Sequence, residues 1–501
     1  MNRQPGAARP AAEHSAALPP ATESRLARTV ERETSSHSPQ HSGFYLLDDG
    51  LSAYVARIAL VEEAVTSLDL QYYIYSDDTA GRILTGKLLQ AADRGVRVRL
   101  LVDDLGTRLT NPWIVTLASH ENIHIRVFNP VEGRSGLRRG LEQVVNFGRI
   151  NHRMHNKLLV ADGIAIITGG RNIADGYFSK SDIEFLDVDV VSVGAVVADA
   201  ASVFDRYWNS TAAVPVTDLP FAEKDEHTLD ELRKLVTRYL DGEEKSDFSQ
   251  ALAESTLARR LRNGDVPFAW GKATLYADPP EKATDRDKVP ASEYPGYQLE
   301  KIVKQARQRL QIANAYLIPG QAGVQLFSEI QRNGAQVDIL TNGLGTNDEA
   351  VVHGAYAQYR APLLRAGIRL WELRPMAEQR RRLHWFKGNS RASLHAKIFV
   401  LDTDRAFVGS INLDRRSLIQ NTEVGLLMNS TPMNEQLHAL FERWVTPDSA
   451  WRLRFDKEDR IRWHGEDDHG KPLTEDRDPD STLWQRWLSR VLAWLPIESQ
   501  I

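Results

Sequence analysis

Two stretches of this chain, 240 residues apart, carry one pattern. His155-Asn-Lys157-Leu-Leu-Val-Ala-Asp162 is followed, after six residues, by Gly169-Gly170-Arg171-Asn172. His395-Ala-Lys397-Ile-Phe-Val-Leu-Asp402 is followed, after the same gap, by Gly409-Ser410-Ile411-Asn412. Five fixed positions coincide by chance about once in 10⁶ to 10⁷ starts, so the repeat is an internal duplication. The flanking periodicity agrees. Residues 54–64 and 80–93 read as helices, 68–74 and 96–102 as strands, and the same order returns at 298–309, 310–316, 323–333 and 337–341. Helices alternating with short apolar strands predict βαβ units and a largely parallel sheet. The expected fold is α/β: two tandem α/β/α domains related by duplication, with residues 43–215 as the first and 271–463 as the second.

Spacing gives the motif its chemistry. On a strand, His155 and Lys157 at i and i+2 emerge on one face while Leu158 and Val160 turn into the core; His395 and Lys397 repeat this, with Ile398 and Val400 as the buried alternates. Asp162-Gly163 signals a hairpin turn, with 164–168 as the returning strand. Gly169 and Gly170 let the backbone pass close to a ligand, and Asn172 follows. A neutral imidazole can attack phosphorus, a protonated one can donate to a leaving oxygen, and ammonium and amide groups can hold phosphoryl oxygens. One motif supplies one His; two copies facing each other supply both roles. Asp162 and Asp402 fall at turns, where a structural role is expected, and a metal site is disfavoured because a Lys stands beside each His.

Composition narrows the partners. The 501 residues include no cysteine, which excludes disulfides, thiolate catalysis and Cys-ligated zinc, and a net charge of −5 argues against a general nucleic-acid binder. No window reaches the ~18 apolar residues of a membrane span, and residues 1–33 have no signal-peptide core. Residues 1–42 read as a disordered tail, 216–270 as a helical connector and 464–482 as a polar linker. Residues 483–496 read as an amphipathic helix, with Leu483, Trp484, Trp487, Leu488, Val491, Leu492, Trp494 and Leu495 against Arg486 and Arg490. That is the pattern of an interfacial helix, or of a terminal helix packed on its domain. Basic runs precede both motifs: Arg134, Arg138, Arg139, Arg149 and Arg153, then Arg380, Arg381, Arg382, Lys387 and Arg391. Tyr72, Tyr73 and Tyr356 lie near strand ends, where core packing is the expectation for each.

The paired His-x-Lys-x₄-Asp stretches resemble the signatures of the phospholipase D superfamily. That resemblance implies that the two motifs meet in one active site between the domains, and that the reaction passes through a phosphohistidine without metal or other cofactor. It favours His155 as nucleophile and His395 as acid and base, roles that the nearly symmetric motifs do not themselves assign, with Lys157, Lys397, Asn172 and Asn412 around the phosphoryl group. It further implies that an acidic residue downstream of each Asn holds an imidazole: Glu423 in one half and Asp187 in the other, with Asp189 as a weaker alternative to Asp187. The stretches 68–74, 153–157 and 170–173, together with Asn347-Asp348 and His353, are similar to those of bacterial cardiolipin synthases of the type lacking N-terminal membrane spans. Asp414-Arg415-Arg416-Ser417 departs from that family's Asp-Pro-Arg-Ser. The implied reaction is phosphatidyl transfer onto phosphatidylglycerol to give cardiolipin, with phosphatidylethanolamine as a candidate second lipid. The implied setting is peripheral contact with a bacterial inner membrane and no nucleic-acid partner. Hydrolysis to phosphatidic acid, a metal-independent nuclease and a non-catalytic lipid scaffold are the competing readings. The motif residues do not separate transfer from hydrolysis.

Overall fold

The computed structural model describes residues 13–107, 113–130, 152–179, 184–219, 227–263, 265–347, 350–375, 392–467 and 469–492. Among the described residues, eighteen strands form one continuous sheet, and its centre marks the seam between the copies. In the first half, Ser67–Tyr72, Arg97–Asp103 and Ile123–Phe128 run parallel. Leu158–Ala161, Ala165–Gly169 and Asp189–Gly194 continue antiparallel. The second half repeats this with Arg309–Asn314, Gln336–Asn342 and Arg369–Leu373 in parallel. Lys397–Leu401, Arg405–Gly409 and Val424–Asn429 then follow antiparallel. Strand Ser42–Leu47 meets strand Ala269–Ala277 at the seam, with Phe44 opposite Ala269. Each half buries its own apolar cluster on one face. A third cluster is shared: Leu158, Phe204 and Trp208 from the first half pack with Leu340, Leu426 and Phe441 from the second. The halves are thus held by a common core as well as by strand pairing.

The motif aspartates lie at the far ends of their strands from the histidines. Asp162 and Gly163 both have positive φ, 52° and 65°, the geometry that a tight hairpin turn demands. The Asp162 carboxylate accepts from the Val65, Thr66 and Ser67 amides and from the Thr66 hydroxyl. Asp402 does the same for the amides of Arg307, Gln308 and Arg309. Each carboxylate ties the hairpin to the entry of the neighbouring strand. Asp162→Ala is expected to cost about 3 kcal/mol of stability, because three amides and a hydroxyl lose a charged acceptor. Chemical denaturation checks this, and turnover per folded molecule should be unchanged.

Three sequence expectations need correction. Residues 13–42 are not a loose tail: Arg25–Thr34 is a helix capped by Ser24, with Ala27 and Val30 buried on the first core. Its approach is fixed by buried guanidinium groups, since Arg99 donates to the Ser15 carbonyl and Arg126 to that of Glu13. Residues 464–482 are not a plain linker. Ile461–Glu466 and Pro472–Glu475 pair as a hairpin, after which Asp478 accepts from Arg360 at 2.6 Å and Asp480 from the Trp451 indole at 2.8 Å. A buried Arg360 needs carboxylate partners, and the chain end supplies one. Between the halves, Leu229–Glu243, Asp247–Glu254 and Thr256–Asn263 are helical, but they bury Leu232, Phe248 and Leu257 on the first half, and Ala269 and Trp270 already belong to a strand.

Candidate active site

Both histidines stand just before a strand rather than within it, since the strands begin at Leu158 and Lys397. What places them is pairing across the seam. The His155 amide donates to the Thr422 carbonyl of the second half at 2.9 Å, and Met154 and Thr422 form an isolated parallel bridge. In reverse, the short strand Ala392–Leu394 runs parallel to Glu184–Leu186 of the first half, and the His395 amide donates to Leu186. Each half therefore hands its histidine to the other.

The carboxylates complete the exchange. His155 Nδ1 lies 2.9 Å from Glu423 Oε2, and His395 Nδ1 lies 2.6 Å from Asp187 Oδ2. In both pairs the histidine comes from one half and the acid from the other. Donation from Nδ1 to the acid leaves Nε2 of each neutral ring with its lone pair toward the site. Asp189 is not part of this arrangement; it pairs with Arg57 and Arg171. The two acids are supported differently. A Cβ at Gly170 would lie 2.0 Å from Asp187 Oδ1, so only glycine leaves room for that carboxylate. At the equivalent position of the second half stands Ser410, whose hydroxyl donates to Glu423. Asp278 accepts the Glu423 amide and is paired with Lys282 at 2.9 Å.

The lysines turn back on their own motifs. Lys157 Nζ donates to the His155 carbonyl at 2.6 Å, and Lys397 Nζ donates to that of His395. Asn172 accepts from the Ile74 amide and donates to the Tyr177 hydroxyl, and Asn412 is buried on the equivalent loop. Tyr177 is a site residue that sequence reasoning did not name, and Tyr73, expected to pack in the core, lies at the site as well. Tyr73 packs edge-on to His155 at 5.2 Å between ring centroids, and Tyr177 to His395 at 5.1 Å. Tyr72 and Tyr356 are core residues, bonded to Arg57 and Glu372. Arg153 is buried against Asp103, not displayed for a lipid surface. The other basic residues of the two runs lie outside the described residues.

Burial and four charged neighbours set the protonation of the site. Burial lowers His155 to about 4 against the pull of Glu423, with Lys157 adding to the fall. Burial also lowers His395 to about 3, helped by Lys397 and opposed by Asp187. Lys157 falls well below its ordinary value, first through burial, with Lys397 as a further repulsion. Burial would raise the Asp187 carboxyl, but His395 and Lys397 bring it down to about 2. Lys157 and Lys397 thus act on both rings, Glu423 on His155 and Asp187 on His395, so two cations and two carboxylates surround the imidazoles. Among the described residues, no group of three or more His, Cys, Asp or Glu side chains is arranged to hold a metal ion.

These shifts have a sign that can be tested. Both imidazoles have folded values below the ~6.5 of an unfolded histidine, so the unfolded chain takes up protons first as pH falls. The stability they confer is complete above pH 6.5 and is lost between pH 6.5 and about 3 to 4. The lowered Asp187 extends the loss further into acid. Calorimetry from pH 7 to 4 should show a falling melting temperature, with a shallower slope in the doubly substituted His155→Asn, His395→Asn protein.

A family model described as "Cardiolipin synthase, PLD-like domain" matches residues 58–208 and 299–445, one segment in each half. The chain belongs to that family. It is 39% identical to cardiolipin synthase C of Escherichia coli (strain K12) over 481 residues, covering 95% of this chain and 99% of that one. An uncharacterised Helicobacter pylori protein is 32% identical over 468 residues, 93% of this chain and 90% of the relative. Among solved structures, the phosphatidylserine synthase of Haemophilus influenzae Rd KW20 superposes with a TM-score of 0.54 at 13% identity, covering 85% of this chain and 92% of the other. That likeness shows a shared fold.

Proposed function

We propose that this chain is a phospholipase D-type phosphatidyltransferase that makes cardiolipin from phosphatidylglycerol and a second phospholipid. The reading rests on one observation: two imidazoles, each fixed through Nδ1 by a carboxylate of the opposite half. His155 Nε2 attacks the phosphorus of the donor lipid. The bond from phosphorus to the headgroup oxygen breaks, and His395, which takes up a proton at Nε2 when the anionic phosphodiester binds beside it, gives that proton to the oxygen, releasing glycerol or ethanolamine. His395 then takes a proton from a glycerol hydroxyl of phosphatidylglycerol, whose oxygen attacks phosphorus as the bond to His155 breaks. Lys157, Lys397, Asn172 and Asn412 hold the phosphoryl oxygens, and Asp162 and Asp402 act only on the scaffold.

Incubating the purified protein with phosphatidylglycerol, with and without phosphatidylethanolamine, tests the reading. Cardiolipin together with the freed headgroup alcohol is expected. Phosphatidic acid alone would make the protein a hydrolase.

The substrates lie in a bilayer, and no helix among the described residues is long and apolar enough to cross one. The helix Leu483–Leu492 packs on Ala350–Ala357. Its first turns leave Leu483, Trp484 and Trp487 exposed at 75%, 64% and 54%, with the two indoles stacked at 4.8 Å. These indoles are the proposed contact with the inner-membrane surface, since tryptophan favours the headgroup level. Trp484→Ala with Trp487→Ala should weaken sedimentation with phosphatidylglycerol vesicles at least about tenfold. Turnover of a detergent-dispersed substrate should be unaffected.

A further inference from the structure

We propose that Tyr177 is a further catalytic residue, whose hydroxyl donates to Nε2 of His395 and makes the two imidazoles chemically unequal. The proposal deepens the transferase reading and rests on it. Tyr177 Oη stands 3.5 Å from His395 Nε2 and 2.9 Å from Asn172 Nδ2. The proton directions follow from the partners. Asn172 Oδ1 accepts from the Ile74 amide at 3.1 Å, which fixes the side-chain amide so that its NH₂ faces the tyrosine. Tyr177 therefore receives a hydrogen bond from Asn172 and has its own proton to give. His395 Nδ1 is committed to Asp187, so Nε2 carries the lone pair that can accept it. The result is a directed chain from Asn172 through Tyr177 and His395 to Asp187. At 3.5 Å the central link is long, as catalytic contacts are before substrate tightens them.

Packing keeps the phenol there. Tyr177 is buried, Phe185 stacks on its ring at 4.6 Å, and both rings meet His395 edge-on. The second half does not repeat the device. Five residues beyond Asn412 stands Ser417, whose amide is bound by Asp414 and whose carbonyl accepts from Lys282. His155 instead meets the edge of Tyr73, from its own half, with the Lys157 ammonium over the same ring.

The consequence is a division of labour. A lone pair already engaged by a phenol is a poorer nucleophile, whereas a ring with a hydroxyl at its reacting nitrogen is set up to exchange protons. A hydrogen bond donated to Nε2 also favours neutral His395, together with Lys397 and Lys157 and against Asp187.

Tyr177→Phe tests this, with Tyr356→Phe, in the core of the second half, as the control. Phosphatidyl transfer from phosphatidylglycerol should slow about tenfold, and the pH profile of kcat should move upward by about half to one unit, with the melting temperature unchanged. A donor with a nitrophenol leaving group, which departs without a proton, should release its first equivalent at the wild-type rate. Tyr356→Phe should leave the profile in place. A Tyr177→Phe profile superimposable on wild type, or an equal slowing with the nitrophenol donor, would overturn the role of the hydroxyl while leaving cardiolipin formation intact. Failure of the wild-type protein to act on either lipid would instead overturn the transferase reading beneath it.

Discussion

His155→Asn should abolish phosphatidyl transfer, lowering it at least about 10⁴-fold with every donor, because no other group replaces the nitrogen that bonds to phosphorus. His395→Asn should be equally severe with natural lipids, whose alkoxide leaving groups need a proton, but not with an activated donor. With a nitrophenyl phosphodiester, the His395→Asn protein should give one equivalent of nitrophenolate in a burst and then stall. Its acceptor can no longer be deprotonated. Mass spectrometry of the stalled protein should find the added phosphatidyl group on His155. A burst from the His155 variant and none from the His395 variant would reverse the two roles.

The carboxylates carry the second large effect. Glu423→Gln and Asp187→Asn are nearly isosteric, yet each swaps an acceptor for a group that can present N–H to the ring. The imidazole then turns its proton toward Nε2, the atom that must be bare to attack or to accept. Losses of about 10³ to 10⁴ in kcat are expected at either position, with little change in KM. Because Asp187 and Glu423 are buried and paired with the rings of the opposite halves, circular dichroism and a melting curve are needed to show that the halves still dock. Asp189→Asn should behave differently, losing stability through Arg57 and Arg171.

The duplication and the parallel core were legible because each rests on local rules: five matched positions, strands of period two, and an Asp-Gly turn that the backbone of Asp162 and Gly163 adopts. Glu423 and Asp187 could be picked out as acids, but which ring each would hold could not. That depends on strand Ala392–Leu394 crossing to Glu184–Leu186, a pairing between residues some 200 positions apart with no periodic signal. Tyr177 was hidden by the very comparison that exposed the motif, since Ser417 occupies its place in the second copy. Residues 13–42 misled through composition. Ala27 and Val30 are enough to seat a short polar helix once Arg99 and Arg126 hold the chain leading into it. In 464–482, charged residues that read as solvated spacer are the partners that buried Arg360 and Trp451 require.

The central claim is that both imidazoles act on a single phosphorus atom, and a crystal structure with orthovanadate tests it most directly. The account predicts one vanadate between the halves, bonded to His155 Nε2 and hydrogen-bonded to His395 Nε2, with Lys157 and Lys397 on its equatorial oxygens. Two separate anions, one at each ring, or a single anion touching only one of the histidines, would contradict it.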